Sequence, residues 1–212
     1  TLPKVLKSKG YDVKGSLYYK HGRETFSTMF GQLNSKYLPR GLSHRKKFWN
    51  NREVYSTFDN ILKFKTSNSP LFCYLHYNVR VDNDISEIID STLQKIEENN
   101  LFENSIVIIN SDHGYPMPSR DWSIDNFNSG LPHDLLLNND NILTPLIIKY
   151  PNSPNKPVIN HFISSLDIAP TIMDILEDKK SEYGWYGKTL TPYIKNSDFN
   201  YKDRLLRCDN RF

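Results

Sequence analysis

Three short apolar runs constrain the fold of this chain more than any other feature: Leu71-Phe72-Cys73-Tyr74-Leu75, Ser105-Ile106-Val107-Ile108-Ile109-Asn110 and Leu146-Ile147-Ile148-Lys149-Tyr150. Each has the length of a strand and no alternation of apolar with polar residues, the pattern of a strand covered on both faces. Stretches with helical spacing lie between and around them. Leu2, Val5 and Leu6 share one helical face ahead of Gly10, a typical helix-ending residue. A short strand is expected near Asp12 to Tyr18, and Val54 to Phe64 resumes the helical pattern. Asp84 is placed to cap a helix from Ile85 to Asn100, where Ile85, Ile88, Ile89, Leu93 and Ile96 form one stripe. Ser164-Ser165 is placed to cap another, with Leu166, Ile168, Ile172 and Ile175 as its apolar face and Pro170 near its first turn. Strand, helix, strand, loop, strand, helix is the order of an α/β sheet with helices on its faces.

Composition narrows what such a sheet does. At 212 residues the chain is long enough for one domain with a core, and 13% aromatic residues argue against disorder. The charge balance is weak, 27 basic against 24 acidic residues for a net +3, which offers no concentrated footprint for a phosphate backbone. Nucleic acid is therefore not the expected partner. Cys73 and Cys208, the 2 cysteines, build neither a disulfide framework nor a cysteine zinc site. No apolar run approaches the ~20 residues that cross a bilayer. Phosphate-cradling loops of the G-x-x-x-x-G-K-[ST] or G-x-G-x-x-G type are missing, and so is the G-x-S-x-G nucleophile elbow. Residues 21–51 mix Gly, Ser, Asn, Arg and Lys around scattered aromatics and read as irregular. Thr1 to Lys7 reads as a helix already under way, so the chain is expected to be a piece of a longer one.

Chemistry concentrates at Ser111-Asp112-His113-Gly114, directly after the run that ends at Asn110. In open α/β sheets ligands bind beyond the carboxyl ends of the strands, where these side chains emerge. An adjacent carboxylate and imidazole offer oxygen and nitrogen donors to a divalent metal, while Gly114 permits a sharp turn or a close backbone approach. The alternative is a strand-end turn in which Asp112 caps a backbone amide and His113 is a surface residue.

The surrounding residues carry a resemblance. Residues 97–114, from Glu97 through Ser105-Ile106-Val107-Ile108-Ile109-Asn110 to Gly114, resemble the helix, strand and metal loop of the sulfatase family, part of the alkaline-phosphatase-like superfamily. Further segments match in order: Thr1 to Tyr11, Ser69 to Tyr77, Thr144 to Pro151, Ser164 to Ile172, and Gly187-Lys188-Thr189-Leu190. The resemblance implies a mixed, largely parallel sheet flanked by helices on both faces, residues 1–203 as the catalytic α/β domain and residues 204–212 as the start of a C-terminal subdomain strand. It also implies a metal-dependent sulfuric ester hydrolase, with Asp112 and His113 as metal ligands. The metal expected is calcium, with manganese or zinc as alternatives. The family's nucleophile is a formylglycine made within a C/S-x-P-x-R motif, expected upstream of Thr1 with the remaining ligands. Neither cysteine fits that motif, and Pro116-Met117-Pro118-Ser119-Arg120 imitates only its end.

Other positions follow from the same resemblance. Lys20-His21 falls near the family's Lys and His, usually written GKWH, although the Gly is absent here and the spacing is displaced; a solvated basic loop is the alternative. A Lys and a His there would bind sulfate oxygens and protonate a leaving alkoxide. His133, with Asp134 as its orienter, lies where the family places an anion-binding Lys or His. His76 ends its strand as a substrate-contacting residue, and Arg80 stands where the family's second His is replaced. His44 and His161 read as surface or packing residues. The implied substrate is a small anionic ester of a sulfated sugar, lipid or aryl compound. An extracytoplasmic or lysosomal-like compartment comes from the resemblance alone. Phosphoglycerol- or phosphoethanolamine-type phosphoryl transfer and a non-catalytic relative are the competing readings.

Overall fold

In a computed structural model of the chain, the structure describes residues 1–17, 51–63, 65, 68–77, 85–114, 139–153, 158–178, 183–196, 199–201, 204 and 206. They fall into two compact units, Thr1–Phe102 and Glu103–Phe212. No helix among the described residues is long and apolar enough to cross a membrane.

The first unit is a βαβ arrangement. Helix α1 (Leu2–Ser8) ends as its glycine requires: Gly10 has φ +86°, and the amides of Gly10 and Tyr11 turn back to Lys7 O at 3.1 Å and Leu6 O at 3.1 Å. Strand β1 (Asp12–Leu17) pairs in parallel with β2 (Leu71–His76), in register from Asp12 opposite Leu71 to Leu17 opposite His76. A parallel pair needs a crossover connection, and α2 (Asn51–Lys63) lies between the two strands in sequence and packs on both. Val54, Phe58 and Ile61, spaced i, i+4, i+7, bury the face of α2, and Pro3, Leu6 and Val13 are also buried among this unit's described residues. Helix α3 (Ile85–Glu98) packs on α2, its half-buried stripe comprising Ile88, Ile89, Thr92, Leu93 and Ile96. The expected Asp84 cap lies outside the described residues.

The second unit holds β3 (Val107–Asn110), the short helix α4 (Asn139–Ile142) and β4 (Leu146–Lys149). Strands β3 and β4 pair antiparallel, Val107 opposite Lys149 and Asn110 opposite Leu146. Among the described residues the parallel pair β1–β2 and the antiparallel pair β3–β4 form two separate two-stranded sheets. Side-chain period is the same in both directions, so an apolar run carries no mark of its strand's polarity. Coverage of both faces is incomplete in β4, where Ile147 is 59% exposed.

A 3-10 turn (Ser165–Asp167) then leads into α5 (Ile168–Ile175). Ser164 caps it as expected, its Oγ accepting from Leu166 N at 3.2 Å while Asp167 Oδ2 accepts from Ser164 N at 2.8 Å. Leu166 does not join the apolar face: it is 60% exposed. It sits in the 3-10 turn, whose tighter winding breaks the 100° phase that aligns Ile168, Ile172 and Ile175. Thr171, Ile172 and Met173 are buried instead. Asp167 is fully buried and ties distant segments together: Oδ1 accepts from Lys188 N at 2.9 Å, and Oδ2 pairs with Arg204 Nη2. Thr171 Oγ1 donates to Asp167 O at 2.6 Å and accepts from Leu190 N at 2.8 Å. Helix α6 (Thr191–Lys195) follows, and its Tyr193 packs against Phe199, Tyr201 and His161. The packing role expected of His161 is the observed one.

Candidate metal centre

Strand β3 delivers Ser111-Asp112-His113-Gly114 at its carboxyl end, and the turn is held by its own polar atoms. Asp112 Oδ1 accepts from His113 N at 3.0 Å, so the carboxylate caps the next amide as the turn reading of these residues expects. Ser111 Oγ donates to His113 O at 2.6 Å, and Gly114 N donates to Asn141 O at 2.8 Å. His113 Nδ1 lies 2.7 Å from Gly114 O. A carbonyl only accepts, so Nδ1 is the donor in this contact, which leaves the Nε2 lone pair as the ring's metal-binding donor.

Gly114 makes the close approach that a glycine permits, toward the chain's own backbone. A Cβ on it would stand 1.8 Å from Asp140 O and 2.8 Å from the same carbonyl carbon. The turn is thereby seated against α4, which no residue pattern in the sequence links to the site. A glycine after a strand indicates that something approaches; it does not name the partner.

Two donor atoms of the turn lie close together. Asp112 Oδ1 and His113 Nε2 are 3.7 Å apart, with side chains 59% and 37% exposed. That separation is less than twice the ~2.1–2.4 Å of ordinary metal–ligand bonds, so one ion reaches both. A carboxylate oxygen with an imidazole nitrogen suits calcium, manganese or zinc. The pair therefore fits a divalent metal, and among the described residues no third His, Cys, Asp or Glu joins it.

Of the other candidates, only His76 lies among the described residues. His76 closes β2 in the first unit, half-buried, with Tyr74 Oη 3.4 Å from its Nδ1. Lys20, His21, Arg80, His133 and His44 lie outside the described residues, as do Cys208 and residues 116–120. Cys73 sits on β2, where burial pushes its thiol up to about 12, so it supplies no thiolate at neutral pH.

The sulfatase family model matches residues 83–178, from α3 through the Asp112-His113 turn to the end of α5. Residues 83–178 belong to the sulfatase family. Two ulvan-active sulfatases of Formosa agariphila are similar to the chain, one 32% identical over 123 residues and the other 32% identical over 114 residues. These matches cover 56% and 53% of this chain but 18% and 21% of the relatives, so the chain spans about a fifth of the curated relatives' length. Among solved structures, the lipoteichoic acid synthase LtaP from Listeria monocytogenes superposes with TM-score 0.64 at 15% identity, over 89% of this chain and 55% of that one. Ps i-CgsB superposes with TM-score 0.56 at 14% identity, over 92% of this chain and 57% of that one. Likeness at such identity concerns the fold, which is the alkaline-phosphatase-like α/β fold. The Ser164-to-Ile172 stretch, inside the matched residues, is joined to Gly187-to-Leu190, beyond them, by Asp167 and Thr171, a structural brace within the second unit.

Proposed function

We propose that the chain is part of a metal-dependent sulfuric ester hydrolase and that Asp112 and His113 are two of its metal ligands. The observation that carries this reading is the pair of oxygen and nitrogen donors 3.7 Å apart at the carboxyl end of β3, inside the segment that the sulfatase model matches. A bound divalent cation, calcium first and manganese or zinc as alternatives, would supply Lewis-acid stabilisation of charge on the ester's oxygens. Asp112 contributes the compensating negative charge and His113 a neutral nitrogen whose ring is oriented through Gly114 O. Lys20, His21 and His133 are assigned to the anion and the leaving oxygen, and His76 and Arg80 to the rest of the substrate. The nucleophile is assigned to a formylglycine elsewhere in the full protein.

The substrate proposed is a sulfated sugar. Its support is the similarity to two ulvan-active sulfatases. The test is sulfate release from sulfated oligosaccharides by the full natural protein. Asp112→Ala and His113→Ala should each lower kcat/KM at least about 100-fold, since even outer-shell partners of a metal cost 10–100-fold. His133→Ala should lower turnover with little change in unfolding midpoint. Metal-dependent release of phosphate or phosphoglycerol in place of sulfate would assign the protein to phosphoryl transfer, and absence of any hydrolysis would make it a non-catalytic relative.

A further inference from the structure

Resting on that reading of Asp112 and His113, we propose that Ser111 is a positioning residue of the metal pair. Its hydroxyl would set the imidazole's direction without touching the metal. The peptide unit joining His113 to Gly114 is held at both ends: its carbonyl accepts from Ser111 Oγ at 2.6 Å, and its N–H donates to Asn141 O at 2.8 Å. A peptide is planar, so fixing both its polar ends fixes the rotation of the unit about its flanking bonds. That rotation decides where the next carbonyl, Gly114 O, stands. Gly114 O accepts from His113 Nδ1 at 2.7 Å, so the pinned peptide in turn orients the ring and turns Nε2 toward Asp112 Oδ1, 3.7 Å away. The seat of Gly114 against Asp140 leaves the backbone no slack on the far side, because that approach has no room even for a methyl group. Ser111 is the side-chain member of this arrangement and the one a substitution removes without adding atoms.

A merely structural hydroxyl would change stability alone, so the test reads the ring and the metal. In the full natural protein, Ca2+ titration by calorimetry should show Ser111→Ala binding about 10- to 100-fold more weakly, the range for lost outer-shell partners, with Ser111→Thr restoring the affinity. Nitrogen-15 NMR of the metal-free wild-type protein should find His113 with its proton on Nδ1, and Ser111→Ala should mix the two tautomers. Unchanged Ca2+ affinity in Ser111→Ala, where Asp112→Ala loses binding, overturns the role of Ser111 and leaves the metal site standing. Unchanged binding in Asp112→Ala and His113→Ala overturns the site itself and this proposal with it. A wild-type His113 protonated on Nε2 overturns the proposal whether or not any variant folds.

Discussion

Gly114 shows how a single side chain, or its absence, sets the site. Any Cβ there would meet backbone atoms of α4, which cannot swing aside as a flexible side chain would. Gly114→Ala should therefore destabilise the second unit by about 1–3 kcal/mol, the usual cost of overpacking, measured as a lower urea midpoint. Asp112 and His113 were legible because residue type and position after a strand are both written in the sequence. The holding atoms were less so. Ser111, Asn141 and the backbone of Asp140 act through contacts between positions about thirty residues apart, or through main-chain groups every residue possesses, and no pattern of residue types announces them.

The described helices were largely legible because their buried faces impose a period of 3.6 on the residues, and the strands because short unalternating apolar runs of strand length mark them. Val54, Phe58 and Ile61 mark α2, and Ile88, Ile89, Leu93 and Ile96 mark α3. The antiparallel direction of β3 and β4 and the exposure of Leu166 were not, since strand direction leaves no periodic trace and the 3-10 turn shifts the phase. Helices α2 and α3 are also joined by charge. Hydrogen bonds from Lys63 and Lys95 hold the Asp59 carboxyl below its usual range. A depressed folded pKa contributes stability above the unfolded value of about 3.9 and loses it as pH falls through the folded value. Lowering pH below about 4 should thus weaken the α2–α3 contact, and Asp59→Asn should flatten that part of the stability profile. Added salt at neutral pH should mimic the loss in part, since these groups are near the surface.

At the scale of the whole molecule, the sulfatase-like order of segments serves two tasks. One stretch carries the donor pair, and another is a brace around a buried carboxylate. Asp167 is fully buried with Arg204 and two backbone amides on it, so Asp167→Ala would strand a largely buried guanidinium and should cost about 3–5 kcal/mol in unfolding free energy. The metal affinity proposed for the β3 turn should change far less in that variant where the fold persists. The proposed function turns most directly on whether Asp112 and His113 hold a cation. Ca2+ affinity of the full natural protein, measured by calorimetry after exhaustive removal of bound metal, decides it. Each of Asp112→Ala and His113→Ala is predicted to weaken binding by more than about 10-fold with the unfolding midpoint nearly unchanged, and wild-type affinity in both variants would contradict the account.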